Sequence, residues 1–302
     1  MTAPTAPFGR VLTAMVTPFT AGGDLDLDMA AALAERLVQQ GNDGLVVNGT
    51  TGESPTTSRE EKAALVRAVV DAVGDRAHVL AGVGGNDTEH VVELSRDAEK
   101  AGAHGLLSVT PYYNRPPDDG LVAHYERSVA ATDLPVMLYD IPVRTGLALS
   151  HAVLLRLAAL PQVVAVKDAK DDLQAMSRLL AETDLAVYAG TDPLTLPVLA
   201  LGGVGVVSVV SHVVTPQLVE LVRAYDAGDV ERARAVNLAL QPVFTGMYRT
   251  QGVILAKAAL ALAGLPVGPV RLPFVDATPE QVDRLRTDLQ GVLPELAAAV
   301  AR

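Results

Sequence analysis

The chain of 302 residues contains no cysteine and no tryptophan, and aromatic residues make up only 4% of it. Without cysteine it cannot form disulfides, use a thiol nucleophile or bind zinc through thiolates, and a reducing, cytoplasmic setting is the simplest expectation. Charged residues are also few, at 20%, whereas hydrophobic residues reach 49%. A core of Ala, Val and Leu rather than of aromatic rings fits helices packed around buried parallel strands.

Positive charge is scarce as well, since 24 Lys and Arg stand against 35 Asp and Glu, for a formal net charge of -11. Nucleic-acid binding depends on clustered Lys and Arg that displace counterions from phosphates, so we expect no nucleic-acid partner. We expect no membrane span either, because Pro197 and three glycines interrupt the longest apolar stretch, residues 194–214. Residues 1–10 have neither a basic start nor an apolar run, so they do not predict a secretory signal.

Eight short apolar runs recur along the chain with helical segments between them, at a spacing of roughly 20 to 35 residues. They are continuous rather than alternating, which is typical of strands buried on both faces of a parallel sheet. Eight such units predict a closed (β/α)8 TIM barrel, with a doubly wound open sheet as the second choice. The runs are residues 11–16, 44–47, 79–81, 106–109, 136–139, 163–166, 186–188 and 206–209.

Beyond Thr215 the sequence predicts only helices, and Thr278 starts the last of them with Gln281 as its capping partner. We therefore expect two parts in the chain. The barrel that carries the active site should occupy residues 1–228, and a C-terminal helical appendage should occupy residues 229–302.

The residue that best fits a catalytic role is Lys167. In an α/β barrel the active site lies at the C-terminal ends of the strands, and Lys167 directly follows the apolar run 163–166. Desolvation at the mouth of an apolar barrel favours the neutral amine, which can attack a ketone to form an imine. A single lysine at a strand end more often simply reaches solvent, so the interpretation depends on its neighbours.

Tyr139 is the first of these neighbours. It ends the strand that precedes the strand of Lys167, so both side chains can face one cavity. Its hydroxyl can move the protons that imine formation and release require. The alternative is a core tyrosine whose hydroxyl is satisfied at the edge of the barrel.

Two further groups offer binding sites for carboxylates. The loop at residues 49–52 follows the second strand, and the hydroxyls of Thr50 and Thr51, with backbone N–H groups, can form a nest for an anion such as pyruvate. Arg144 follows the fifth strand and could hold a second carboxylate bidentately. Their alternatives are an ordinary connecting turn and a surface ion-pair partner.

Four motifs stand in order along the chain: GTTGES at residues 49–54, TPYYNRP at 110–116, YDIPVRTG at 139–146 and VKDA at 166–169. Together they resemble the motifs of the dihydrodipicolinate synthase family, also called 4-hydroxy-tetrahydrodipicolinate synthase, within the pyruvate-dependent aldolases. The resemblance covers essentially the whole chain. It implies a lyase of lysine and diaminopimelate biosynthesis that condenses pyruvate with L-aspartate 4-semialdehyde through a lysine Schiff base, with no metal or organic cofactor.

The resemblance also implies a Schiff-base lysine, a proton relay, a pyruvate pocket and an aldehyde site. It assigns the Schiff base to Lys167 and the proton relay to Thr50, Tyr113 and Tyr139. It assigns the pyruvate pocket to Thr51, Gly190 and Val207, and the aldehyde site to Arg144. In this family the second tyrosine of the YY pair reaches into the neighbouring subunit's site. Tyr113 therefore implies at least a dimer, and the usual assembly is a homotetramer, a dimer of dimers.

The sequence departs from the commonest pattern of the family at a few positions. Asp140 stands where many members have Asn, and Val83 stands where Thr is frequent. Arg59, Lys62 and His90 occupy positions where members inhibited by lysine often have other residues. The resemblance therefore does not decide whether lysine is a feedback inhibitor.

Other pyruvate-dependent aldolases remain an alternative. N-acetylneuraminate lyase and the sugar-acid aldolases share the lysine and the tyrosine, so Lys167 and Tyr139 define the class and not the substrate. Arg144 favours an aldehyde that carries its own carboxylate, as L-aspartate 4-semialdehyde does. A barrel without activity that senses a keto acid is a further alternative, although it would not need the relay and the arginine.

Two other kinds of chemistry find less support. An NAD-dependent oxidoreductase is suggested by the glycines at residues 82–85, but Asp87 stands where the fingerprint requires a further glycine and is better placed to cap a helix. The 6 histidines are scattered singly without the spacing of metal ligands, so no metal site is predicted.

Overall fold

The computed structural model describes residues 5–292 of the chain. Eight parallel strands close into a barrel in the order in which they follow along the sequence. Every predicted apolar run overlaps one strand, so the predicted (β/α)8 barrel is confirmed and the open sheet is wrong. The strands are β1 (Val11–Ala14), β2 (Gly44–Val47), β3 (His78–Gly82), β4 (Gly105–Val109), β5 (Val136–Asp140), β6 (Val163–Asp168), β7 (Ala186–Ala189) and β8 (Gly205–Ser208).

Nine helices accompany the strands up to residue 226. Eight of them, α1 to α4 and α6 to α9, each follow one strand, as a (β/α)8 barrel requires. The short α5 is an extra turn after β5. The helices are α1 (Leu27–Gln39), α2 (Arg59–Val73), α3 (Thr88–Lys100), α4 (Asp118–Val129), α5 (Pro142–Thr145), α6 (His151–Ala158), α7 (Leu173–Glu182), α8 (Thr195–Leu201) and α9 (Ser211–Asp226).

The strands are buried on both faces, which explains why the apolar runs do not alternate. Every residue of β1, β2, β5, β7 and β8 is buried. Helices cover the outside with apolar side chains such as Leu33 and Leu37 of α1 and Val69 and Val73 of α2, all of which have no exposed area. Each such side chain contributes about 1.5–3 kcal/mol when it leaves water, so the barrel is held mainly by this layer.

The helix starts follow the capping signals in the sequence. Asp87 caps α3 by accepting from the backbone N–H groups of Glu89 and His90, as predicted. Thr278 and Gln281 form the predicted capping box at the start of the last described helix. Each cap satisfies backbone donors that a helix leaves unpaired at its first turn.

Four more helices follow β8 and α9, namely α10 (Val230–Ala239), α11 (Gln241–Met247), α12 (Gly252–Leu262) and α13 (Pro279–Leu289). Between residues 230 and 292 the structure contains helices and their connections without a strand. The predicted division into residues 1–228 and 229–302 stays a prediction, and residues 293–302 lie outside the described part of the chain. Among residues 5–292, no helix combines the length and apolar character that a membrane crossing requires.

Candidate active site

The carboxyl ends of the strands open into a cavity of about 330 Å³. Six of the eight predicted site residues line it, and these come from the ends of four different strands or the turns that follow them. They are Thr50, Thr51, Tyr139, Arg144, Lys167 and Gly190. A site built from several strand ends at the carboxyl face of the barrel is where catalysis is expected in this fold.

Lys167 and Tyr139 meet because the register of the barrel places them side by side. They are direct partners in the pairing of β5 with β6. The Nζ atom of Lys167 lies 4.1 Å from the centroid of the Tyr139 ring. Neighbouring residues of a strand point to opposite faces, so Asp140 and Asp168, the next pair in the register, point away from the cavity.

The amine of Lys167 is buried, with 4% of the residue exposed. Burial lowers its pKa to about 8; the carboxylate of Asp192 opposes this shift, and the guanidinium of Arg144 adds to it. A substantial fraction of the amine is therefore neutral near physiological pH. The neutral form is the one that can attack a carbonyl carbon, so the site supports imine formation.

Tyr139 is also buried, with 5% of the residue exposed. Burial raises the pKa of its hydroxyl to about 12, against the lowering effects of the Arg144 charge and of the nearby Thr50 side chain. The hydroxyl thus stays protonated at neutral pH and can both accept and donate a proton. Thr50 lines the same cavity, so the hydroxyls of Tyr139 and Thr50 can act in one proton relay.

The loop that carries Thr50 and Thr51 is a tight turn held by its own backbone. The N–H groups of Gly52 and Ser54 donate to the carbonyl of Gly49, at 3.0 and 3.3 Å. These amides therefore point into the loop and are not free for an anion. Thr50 and Thr51 line the cavity, and their hydroxyls can hold a carboxylate.

Glu53 anchors this loop from behind. It is 1% exposed and adopts a left-handed backbone conformation with φ 56°, which is strained for a residue other than glycine. One carboxylate oxygen lies 2.7 Å from Nζ of Lys257 on α12, and the other accepts from the backbone N–H of Arg271 at 2.8 Å. Helix α12 and the segment that follows it thus fix the position of the threonine loop.

Arg144 lies on α5 at the mouth of the cavity and is exposed. Among residues 5–292 it takes part in no salt bridge. The alternative of a surface ion-pair partner therefore finds no acceptor in the described part of the chain. Its guanidinium can receive a carboxylate that arrives from solvent.

Gly190 is required by a close approach of two strands. A Cβ atom at this position would lie 2.8 Å from both Cβ of Ala169 and the carbonyl oxygen of Asp168. Real Cβ atoms do not come this close, so a side chain would push β7 away from β6 at the cavity wall. The N–H of Gly190 donates to the same carbonyl at 2.7 Å.

Val207 and Tyr113 do not line the cavity of their own chain. Val207 is buried in β8, and Val209, two residues further on, lines the cavity instead. Tyr113 is 90% exposed and has a left-handed backbone with φ 69°. Its role in a neighbouring subunit's site stays a prediction, which its exposure allows.

Several lining residues were missed by reasoning from the sequence. Asp192, behind the cavity wall, lies two positions after Gly190 and could have been found by reading further past the strand end. The residues contributed by the C-terminal region had no such signal, because they lie on or between helices and not at the ends of strands. They are Phe244, Tyr248, Gln251, Gly252, Val253 and Phe274.

A parallel eight-stranded barrel with a buried lysine at the end of β6, beside a tyrosine at the end of β5, is the arrangement of a lysine-dependent aldolase. The model of the dihydrodipicolinate synthetase family matches residues 7–292, and the chain belongs to this family. Members of the family are lyases of the class I aldolase type. The recognition made from the four motifs is confirmed, and the NAD-dependent oxidoreductase is wrong.

Individual relatives agree with this assignment. The chain is 65% identical over 284 residues to the 4-hydroxy-tetrahydrodipicolinate synthase of Acidothermus cellulolyticus, covering 94% of this chain and 92% of that one. It is 62% identical over 286 residues to 4-hydroxy-tetrahydrodipicolinate synthase 2 of Streptomyces coelicolor, covering 95% and 96%.

Solved structures show the same fold. The dihydrodipicolinate synthase of Cyanidioschyzon merolae with lysine bound superposes with a TM-score of 0.93 at 41% identity, covering 95% of this chain and 99% of that one. The chloride-inhibited enzyme of Acinetobacter baumannii, complexed with pyruvate, gives 0.91 at 32% identity, covering 95% and 99%.

Proposed function

We propose that this chain is a 4-hydroxy-tetrahydrodipicolinate synthase, which condenses pyruvate with L-aspartate 4-semialdehyde in lysine and diaminopimelate biosynthesis. The observation that carries the proposal is the buried amine of Lys167, whose pKa is lowered to about 8 and which lies 4.1 Å from the ring of Tyr139. The names of relatives at 65% and 62% identity support the choice of substrates.

The reaction begins at Lys167. Its neutral amine attacks the keto carbon of pyruvate to give a carbinolamine, which loses water to give a cationic imine. Tyr139 and Thr50, which line the same cavity, carry protons to and from the departing hydroxyl. The imine then withdraws electrons from the methyl carbon, which loses a proton and becomes an enamine.

The enamine carbon attacks the aldehyde carbon of the semialdehyde, and the aldehyde oxygen takes up a proton. The amine of the semialdehyde next attacks the imine carbon and displaces Lys167, which closes the ring and restores the enzyme. The imine is the electron sink throughout, so the steps require no metal or organic cofactor. One water is released for each pair of substrates joined.

Depth in the cavity assigns the two substrates to their groups. Pyruvate must reach the buried Lys167, where the hydroxyls of Thr50 and Thr51 can hold its carboxylate. The aldehyde arrives second and is held nearer the mouth, where exposed Arg144 can bind its carboxylate bidentately. Gly190 has no side chain that would crowd the cavity wall beside pyruvate. Val207 stays a proposed part of the pyruvate pocket.

The proposal includes an assembly and a location. Tyr113, which is 90% exposed in the single chain, would complete the relay in the site of a second copy. We therefore propose at least a dimer, and a homotetramer as a dimer of dimers. We propose that the enzyme is located in the cytoplasm, where lysine biosynthesis takes place. Its small-molecule partners would be pyruvate and L-aspartate 4-semialdehyde.

Mass spectrometry after borohydride reduction in the presence of pyruvate tests the chemistry. We expect a reduced pyruvyl adduct on Lys167, together with consumption of the semialdehyde by the untreated enzyme. Lys167→Ala should lose the adduct, while the matched variant Lys100→Ala, at an exposed lysine of α3, should keep it. An adduct without semialdehyde consumption would indicate another aldolase of the superfamily, and no adduct would indicate a keto-acid sensor.

A further inference from the structure

A buried carboxylate lies behind the wall of the cavity. Asp192 stands in the 3-10 turn Asp192–Leu194 that follows β7, and 1% of the residue is exposed. One of its oxygens, Oδ2, accepts from the backbone N–H groups of Val209 and Val210 at 3.1 and 3.3 Å. The other oxygen, Oδ1, is buried and has no hydrogen-bond partner in the described part of the chain.

Tyr248 joins this carboxylate to the cavity. It follows α11, and its hydroxyl donates to Oδ2 of Asp192 at 2.6 Å. The ring of Tyr248 lines the cavity beside Lys167, and 39% of the residue is exposed, so the side chain extends from the cavity to the buried carboxylate. The hydrogen bond therefore connects the segment after α11 with the turn after β7.

We propose that Asp192 is a positioning residue for the Schiff-base reaction, whose buried carboxylate supplies the counter-charge for the cationic imine on Lys167 and holds Tyr248 in place as a wall of the cavity. The inference rests on the proposed function, because it concerns the imine that this function requires. It assigns a task to a carboxylate that the steps of proton relay and substrate binding do not use.

The electrostatic need for such a group follows from the burial of Lys167. The imine nitrogen carries a positive charge at a buried position, where an unbalanced charge is costly. Arg144 adds a second positive charge at the mouth, and its effect on Lys167 is unfavourable to the cation. A buried carboxylate with an unpartnered oxygen is suited to offset both, because low polarity strengthens its attraction.

Several titratable or charged groups line the cavity of Lys167 or lie behind its wall, and their charges must be considered together. They come from β5, α5, the turn after β6, the turn after β7 and the segment after α11, and are Tyr139, Arg144, Asp171, Asp192 and Tyr248. Asp171 accepts a hydrogen bond from Thr191 at the rim. Asp192 differs from it in being buried and in acting on Lys167, whose pKa it raises.

Removal of the Asp192 charge should have two opposite effects. The pKa of Lys167 should fall, so that more of the amine is neutral and imine formation begins at lower pH. The cationic imine should at the same time be less stable, so that later steps slow down. A residue with a merely structural role would reduce turnover without moving the pH limb.

Asp192→Asn tests this, because the amide oxygen can still accept from the N–H groups of Val209 and Val210. We expect the acid limb of pyruvate imine trapping by cyanoborohydride to move down by about one pH unit. We also expect kcat to fall roughly tenfold or more. The matched variant Asp229→Asn removes one charge at an exposed helix cap and should change neither value.

Tyr248→Phe gives an independent measurement if Asp192→Asn fails to fold. Without the hydroxyl the carboxylate keeps its charge and loses its shortest donor, so the limb should move up and not down. An unchanged limb in a folded Asp192→Asn enzyme, or no upward shift in Tyr248→Phe, would overturn the inference. The wild-type enzyme tests the proposed function separately. If it traps no pyruvate, the proposed function is contradicted, whereas the role of Asp192 is judged from the variants of an enzyme that does trap it.

Discussion

The Nζ atom of Lys257 on α12 lies 2.7 Å from Oε1 of Glu53, in the loop that presents Thr50 and Thr51 to the cavity. Both side chains are buried, with 5% and 0% of their side-chain area exposed. The contact is an ion pair rather than a well-aligned hydrogen bond, since Oε1 has no hydrogen-bond partner of good geometry in the described residues. Phe19 covers it, with Nζ of Lys257 4.4 Å from the ring centroid.

Lys257→Met should reduce the free energy of unfolding by about 3 kcal/mol, because it leaves the carboxylate of Glu53 buried without its counter-charge. KM for pyruvate should rise too, as the threonine loop loses its anchor. The double variant Glu53→Gln with Lys257→Met should recover a large part of the stability. Denaturant unfolding of the wild type, the two single variants and the double variant measures the coupling energy between Glu53 and Lys257. A double variant no more stable than Lys257→Met would contradict this coupling.

Tyr139→Phe should slow turnover by about 10² to 10⁴ without loss of folding, because it removes the hydroxyl of the relay and keeps the ring beside Lys167. The rate of imine trapping should fall with kcat, since the relay serves carbinolamine breakdown. Tyr225→Phe on α9 is the matched control and should leave both rates unchanged. Equal rates in Tyr139→Phe and the wild type would show that another group moves the protons.

The pH dependence of imine formation should follow the ionisation of Lys167. Burial lowers its pKa to about 8, and only the neutral amine attacks pyruvate, so the rate should rise with pH and level off above about 8. For an ordinary lysine, with a pKa near 10.5, the rise would continue to much higher pH. Stopped-flow or quenched trapping at pH values from about 6 to about 10 measures the midpoint of this rise in rate.

Arg144→Ala should raise KM for the semialdehyde by about tenfold or more and leave the trapping of pyruvate nearly unchanged, because the guanidinium holds the second carboxylate at the mouth. Arg144→Lys should recover part of the loss, since it restores the charge but not the bidentate geometry. Steady-state kinetics with each substrate varied separately distinguish the two. Equal losses for both substrates would mean that Arg144 has a structural role.

Asp140→Asn should stabilise the protein at neutral pH, by roughly 1–2 kcal/mol. Burial raises the pKa of the Asp140 carboxyl to about 6, although Lys170, 3.2 Å away, opposes the shift. The folded state therefore holds this proton more tightly than the unfolded state, where the pKa is 3.8. The stability that the group contributes is complete below pH 3.8 and is lost as pH rises through about 6.

An asparagine at position 140 does not titrate, and Lys170 keeps Asp168 at 3.7 Å. The advantage of the variant in Tm should thus be present at about pH 7.5, above the folded pKa, and shrink towards about pH 4, close to the unfolded value. Calorimetry at both pH values checks this. A constant difference at the two would show that the effect comes from packing and not from ionisation.

The barrel was predictable because its signals are local. Each strand is a short apolar run whose composition indicates that it is buried. Caps such as Asp87 on α3 depend on residues two or three positions away. The pair of Lys167 and Tyr139 was predictable for the same reason, since both end a strand and the ends of parallel strands meet. Val207 shows the limit, because the level at which β8 meets the cavity decides that Val209 lines it instead.

The sequence by itself thus determined the barrel, the family and the residues at the strand ends, since periodicity, capping and short motifs are encoded within a few residues. Tertiary structure decided which distant groups surround them. Glu53 meets Lys257 and Asp192 meets Tyr248 across separations of many tens of residues, after the helices following the barrel fold back over its mouth. No local pattern encodes such contacts, because they arise from the packing of whole elements.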